Sequence, residues 1–294
     1  MVLAHGRLAG AARRLLRPEP PRAAAGPPPP LDPANQMYVV GHRGTCVGAP
    51  ENTMSAYRLA VEAGVDGVEL DVQWTRATAD EPSRMVLVHD WTLDRTTNGS
   101  GLVTDHTWSQ LARLDAGSWY GPGWAGERIP LFEDALAYLA TTRVTVHAEL
   151  KTKAVTADQA ADYVRAVQQA GVVHRTNASA FHTAVLASVR RASRGTIETG
   201  IIEMANPRLP STVRERGTWY FPVRTVITPD DVAELRALGV RTCTWPAREE
   251  ADYARALELG VHGVTADDPV AAVAWFRAHA VGARVLVGAG TGRD

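Results

Sequence analysis

Apolar and polar positions between residues 37 and 281 follow two alternating rhythms. Short apolar or β-branched runs read as strands: MYVVGH at 37–42, GVELDV at 67–72, MVLVHD at 85–90 and VTVHAEL at 144–150. ASAFH (178–182), ETGIIEM (198–204), RTCTWP (241–246) and VHGVTADDP (261–269) continue the series. WYFPVRTV (219–226) is strand-like but holds a proline, which leaves the strand count open by one. Between these runs the period lengthens to that of a helix. ENTMSAYRLAVEAG (51–64) sets Met54, Tyr57 and Val61 near helical spacing and stops at Gly64. Similar patterns fill 131–141, 158–171, 183–193, 229–239, 249–260 and 269–280.

A strand followed by a helix, repeated, implies a parallel sheet with both faces covered. About eight such units across 37–281 suit an α/β fold of the closed (β/α)8 TIM barrel type better than an open sheet. No glycine-rich dinucleotide fingerprint follows the first strand, which weakens the open, doubly wound option. Residues 73–84 are polar and lack a helical period. The long stretch 90–130 reads as a small insertion after the third strand, at the rim where barrels carry function. Residues 1–36, rich in Pro, Ala and Arg, read as a flexible leader, and 282–294 as a fraying tail.

Composition narrows the function. Of 294 residues, the formal net charge is −1, so no basic field invites nucleic acid. No apolar run is long enough to span a membrane. Cys46 and Cys243 alone make neither a disulfide framework nor a zinc site. The cytoplasm is the expected compartment, with export left open by the leader.

Barrel strands should be apolar, yet four strand ends carry ionisable pairs: His42 with Arg43, Glu69 with Asp71, His89 with Asp90, and Glu149 with Lys151. Side chains at i and i+2 share a strand face, so Glu69 points with Asp71 and Glu149 with Lys151. Converging carboxylates repel unless a cation sits between them, and oxygen ligands suit Mg2+ or Ca2+ rather than zinc. Singly, each pair could be a salt bridge; four in succession point to a site. Arg43 and Lys151 suit a phosphate, and His42 and His89 suit proton transfer near neutral pH. His147 alternates with Glu149 and either reaches the site or packs. Glu51 either meets the helix dipole or reaches toward the metal. Trp245 reads as an apolar wall for substrate or as barrel packing. Together these groups suit metal-dependent phosphodiester cleavage.

HRG, five residues, PENT, ELDV, HDWTLDRTTNGSG, AELK and a final GV-G-T-DDP stretch resemble the glycerophosphodiester phosphodiesterases over about 38–277. The resemblance implies a TIM barrel that hydrolyses small glycerophosphodiesters, such as glycerophosphocholine, to sn-glycerol 3-phosphate and an alcohol. It implies His42 and His89 as the catalytic pair, Glu69, Asp71 and Glu149 as ligands of a divalent cation, and Arg43 and Lys151 as phosphate contacts. Glu51 matches a carboxylate near the site. A substrate hydroxyl would attack phosphorus to give a cyclic phosphate, which water then opens. This sequence departs from the family pattern in a longer turn, TRATADEPSR, before the HD strand. It also reads Pro246-Ala247-Arg248 where Thr-Val-Asn usually follows the tryptophan, and TADDP at the final motif. Two rival readings stand beside this one. One is a sphingomyelinase D-like or lysophospholipase D-type enzyme on the same barrel. The other is a barrel that binds phosphodiesters without cleaving them.

Overall fold

Eight parallel strands close on themselves, as the alternating pattern predicts. The computed structural model describes residues 37–205 and 207–286, so the expected leader and residues 287–294 of the expected tail lie outside it. The staves are β1 (Tyr38–Gly41), β2 (Gly67–Trp74), β4 (Thr145–Leu150), β5 (Thr176–Ala180), β6 (Glu198–Glu203), β7 (Trp219–Pro222), β8 (Arg241–Ala247) and β9 (Gly263–Ala266). Each pairs in parallel with its neighbours, and β1 closes the ring by pairing with both β2 and β9. Pro222 takes the last place in β7, and the ladder to β6 continues through Val223 N, which donates to Glu203 O at 2.9 Å.

Side chains on the staves alternate between two apolar layers. Val68, Leu70 and Val72 of β2 and Val146, Ala148 and Leu150 of β4 face outward under the helices. Tyr38, Val40, Trp219, Phe221 and Cys243 fill the barrel's interior. The inward positions above them on β2 and β4 are the ionisable residues of the mouth.

The strand expected at 85–90 departs from the pattern. β3 (Met85–Leu87) is not a stave: it runs antiparallel to β2, with Leu87 opposite Val72 and Met85 opposite Trp74. A parallel return needs a crossover of about a dozen residues or more, usually a helix. Only residues 75–84 are available here, and they are polar. So β2 overruns the rim, turns, and comes back as a hairpin. The chain then enters the insertion, which has its own core of Val86, Val88, Leu93, Val103, Leu111 and Ile129.

Helix α1 (Met54–Ala63) begins at Thr53, whose side chain accepts from Ala56 N, and ends at Gly64 in the left-handed region. The C-terminal helix spans Pro269–Leu286. Among the described residues no helix is long and apolar enough to cross a membrane.

Candidate active site

The mouth is built from the ends of β1, β2, β4 and β9 and from the returning limb β3. After β1 the chain turns sharply through Arg43 (φ 52°) and Gly44 (φ 78°). A Cβ on Gly44 would lie 2.6 Å from the backbone of Ala56 in α1, so only glycine fits that approach. The turn is held from β2: Arg43 N donates to Glu69 Oε2 at 2.7 Å and Gly44 N to Glu69 O at 3.2 Å.

Register then converges three carboxylates. Asp71 pairs with Glu149 across β2 and β4, and Glu69 lies two residues below Asp71 on the same face. All three are buried, and each offers an oxygen within 4.8 Å of the others. Glu69 Oε1 is buried and accepts no hydrogen bond, and the buried Asp71 Oδ1 and Glu149 Oε1 meet only the Lys151 ammonium. The Lys151 ammonium lies 3.3 Å from that Asp71 oxygen and 2.8 Å from that of Glu149. Burial, with Asp71 and Glu149 nearby, raises the Glu69 carboxyl well above its usual range. Burial likewise pushes Glu149 up to about 7 against the pull of Lys151. Burial opposes ionisation of Asp71 too, but Lys151, His89, Arg43 and a hydrogen bond from Asn52 outweigh it and hold the carboxyl low. One cation on Lys151 does not settle three buried acids. Their convergence and all-oxygen chemistry fit a hard divalent ion.

Asn52, which the sequence reading passes over, steadies this cluster. In the left-handed region at φ 55°, it donates from Nδ2 to Asp71 Oδ2 at 2.7 Å. Its Oδ1 accepts from Asp71 N at 3.1 Å and from the Tyr57 hydroxyl at 3.0 Å.

Glu51 does not join the acids. Its carboxylate is taken up by Arg43 Nη1 at 2.7 Å and by two Arg95 nitrogens, each at 2.7 Å. It therefore stands behind Arg43, whose Nε lies 3.5 Å from Asp71. His147 resolves in favour of packing: it points into the barrel against Trp219 and Phe221, with Tyr38 Oη 2.9 Å from its Nε2. Burial pushes its pKa down to about 3.

Each of the two remaining histidines meets a carboxylate through Nδ1. His89 Nδ1 lies 2.6 Å from Asp90 Oδ1, and Arg95 Nε donates to Asp90 Oδ2 at 2.6 Å. Gln73 pins the backbone on both sides of this histidine, donating to Val88 O at 2.7 Å and Asp90 O at 2.6 Å. Burial lowers the pKa of His89. His42 Nδ1 lies 2.5 Å from Asp267 Oδ1. Among the described residues neither ring's Nε2 has a hydrogen-bond partner.

A cavity of about 440 Å³ holds His89, Glu149 and Lys151 together with Trp91 and Phe181. Trp245 is not in its wall; it packs edge-on to Phe181 at 6.0 Å and donates to Phe221 O at 2.7 Å. A larger cavity, about 570 Å³, lies among Met54, Trp108, Trp124 and Asp134 and contains none of the acids or histidines of the mouth. A second mixed cluster, His42, Cys46 and Asp267, also brings donors within 4.8 Å. There both Asp267 oxygens already accept hydrogen bonds, and Cys46 Sγ donates to His42 O at 3.5 Å. Burial and Asp267 raise the thiol, so this cluster offers no free carboxylate oxygen such as Glu69 Oε1.

A parallel barrel with an acid cluster and two carboxylate-held histidines at its mouth has the groups that a phosphodiester hydrolase uses. Residues 42–271 match the model of the glycerophosphoryl diester phosphodiesterase family. A glycerophosphodiester phosphodiesterase of Caldanaerobacter subterraneus is 32% identical over 237 residues, covering 79% of this chain and 94% of that one. The crystal structure of a putative glycerophosphoryl diester phosphodiesterase from Silicibacter pomeroyi superposes with a TM-score of 0.72 at 25% identity, covering 83% of this chain and 94% of that one. A phosphodiesterase of Oleispira antarctica, solved with the product sn-glycerol-3-phosphate, gives 0.71 at 25% identity over 82% of this chain and 97% of that one. The chain belongs to the glycerophosphoryl diester phosphodiesterase family and is a phosphoric diester hydrolase.

Proposed function

We propose that this enzyme hydrolyses small glycerophosphodiesters to sn-glycerol 3-phosphate and an alcohol, using a divalent cation and two histidines. The observation that carries the reading is the convergence of three buried carboxylates, Glu69, Asp71 and Glu149, whose oxygens lie within 4.8 Å of one another beside the single ammonium of Lys151. Those three side chains would hold Mg2+ or Ca2+, which when bound neutralises phosphate charge and acidifies a nearby hydroxyl. The product named for the Oleispira neighbour supports the glycerol side of the substrate.

The chain's own groups do the rest. Lys151, facing the cavity, and Arg43, held by Glu51, bind the non-bridging phosphate oxygens. Nε2 of one histidine takes the proton of a glycerol hydroxyl as that oxygen bonds to phosphorus. Nε2 of the other gives a proton to the departing alcohol oxygen as its P–O bond breaks. The cyclic glycerol phosphate is then opened by water with the two proton transfers reversed. Trp91 and Phe181 line the cavity as a face for the alcohol, with Trp245 behind Phe181.

An exposed apolar set favours a second reading. Trp91 is 50% exposed, Val47 55% and Trp119 38%. The Tyr120 hydroxyl, next to Trp119, donates to Val47 O. Such a rim would suit a lysophospholipid. A panel of glycerophosphocholine, lysophosphatidylcholine and sphingomyelin, with EDTA and add-back of Mg2+, Ca2+ or Mn2+, decides. The first reading expects metal-restored turnover of glycerophosphocholine above the lipids; lipid preference favours the second. Turnover indifferent to chelator, or full rates in both H42A and H89A, overturns the mechanism.

A further inference from the structure

Two side chains outside the proposed proton transfers stand in line behind His42. Ring closure puts them there. The β1–β9 register sets Gly41 beside Ala266, so the residues that follow, His42 and Asp267, emerge side by side. His42 N donates to Ala266 O at 2.9 Å, and Asp267 N donates to Ala247 O at 2.9 Å. The Asp267 carboxylate is thus fixed from the backbone before its side chain makes any contact.

Its two oxygens then do different things. Oδ1 takes His42 Nδ1 at 2.5 Å, and Oδ2 accepts from Arg248 Nε at 3.1 Å. Burial would raise this carboxyl, but the bonds and charges of His42 and Arg248 hold it low. Arg248 is itself anchored. Its backbone N donates to Asp252 Oδ2 at 2.8 Å, and Arg224 Nε pairs with Asp252 Oδ1 at 2.5 Å.

An ionised carboxylate can only accept. His42 must therefore carry a proton on Nδ1, which leaves Nε2 to face the reaction, as a lone pair in the neutral ring or as an N–H donor in the charged one. We propose that Asp267 is a positioning residue that holds His42 in this tautomer and orientation, and that Arg248 fixes Asp267 in turn. The inference rests on the two-histidine reading above. The His89–Asp90–Arg95 set has the same order of partners, but Arg95 also binds Glu51 and so joins the insertion to the rim. Arg248 has no other hydrogen bond or ion pair from its side chain among the described residues.

The expected sizes differ. Exchanging the acid for its amide presents an N–H to Nδ1 and selects the wrong tautomer; in Asp–His pairs of other hydrolases this costs up to about 10⁴ in kcat. Arg248 is 67% exposed, so screening leaves it roughly threefold.

The test uses the full chain with added Mg2+ and glycerophosphocholine, measuring kcat and KM separately with melting temperature and ¹⁵N shifts of the histidine rings. D267N should lose roughly 100-fold or more in kcat with little change in KM, and His42 should switch its proton to Nε2. R248A should lose roughly threefold in kcat at unchanged melting temperature, R248K should recover part of it, and the loss should vanish in the D267N background. Wild-type kcat or an unchanged tautomer in D267N, with H42A inactive, overturns the inference. So does an R248A loss that persists beside D267N. Full activity of H42A instead overturns the two-histidine reading itself. Should D267N not fold, R248A and R248K, on an exposed side chain, decide by the kcat and KM split.

Discussion

Replacing Asn52 by alanine should damage stability and cation binding together. The side chain is buried and makes three hydrogen bonds: to Asp71 Oδ2, from Asp71 N and from the Tyr57 hydroxyl. Removing it strands these partners, and each buried unsatisfied group costs about 1–3 kcal/mol. Alanine at φ 55° adds roughly 1 kcal/mol of backbone strain. Water entering the gap offsets part of this, so the expected loss is about 3–5 kcal/mol, a large share of a typical folding free energy of about 5–15 kcal/mol. Equilibrium urea unfolding in chelator measures it without cation binding masking the effect. Asn52→Gly loses the same hydrogen bonds but relieves the strain, and should unfold with about 1 kcal/mol less loss than Asn52→Ala. With Asp71 no longer held, affinity for Mg2+ or Ca2+ should fall roughly 10-fold. An alanine variant within about 1 kcal/mol of the parent, with unaltered cation affinity, would refute the reasoning.

Two further outcomes follow from the rim. Gly44→Ala puts a Cβ 2.6 Å from the Ala56 backbone at φ 78°, and should cost about 4 kcal/mol or more; soluble, normally melting protein would contradict the tight approach. Asp90 is held at about 2 instead of 3.8, first by its hydrogen bond from Arg95 and then by that with His89, against some burial. Its stabilisation is therefore complete above pH 3.8 and lost as pH falls through about 2. The group lies at the rim, part-exposed and paired with the half-exposed Arg95, so screening keeps the amount near about 1 kcal/mol. The stability gap between parent and Asp90→Asn should narrow across that window, and a gap that widens on acidification would reverse the assignment.

The pairs that make up the acid cluster were legible because each depends on strand parity alone. Glu69 with Asp71, and Glu149 with Lys151, share a face whatever the neighbouring strand is. Direction was not legible, since alternation reads the same both ways. His89 ends a strand as expected, but that strand is the return limb of a hairpin. Glu51 kept two readings because its decisive partner, Arg95, lies in the insertion, whose path no local pattern specifies. Asp267 sat in a motif already noticed, yet its role depends on ring closure that brings it to His42 from 225 residues away. Asn52 was passed over because its bonds cross to Asp71 from a tight turn. Fold class needs only repeating units; second partners need register.

The hairpin also bears on how this mouth tolerates change. The position of His89 is set by Val72 opposite Leu87 and by the two bonds from Gln73. The turn TRATADEPSR is tied elsewhere, to the insertion: Glu81 accepts from Ser109 N at 2.6 Å and from Ser109 Oγ at 2.7 Å, and Arg76 N donates to His106 O at 2.8 Å. The two sets of ties share no residue, so a change at the tip of the turn is uncoupled from the aim of the histidine that the limb delivers.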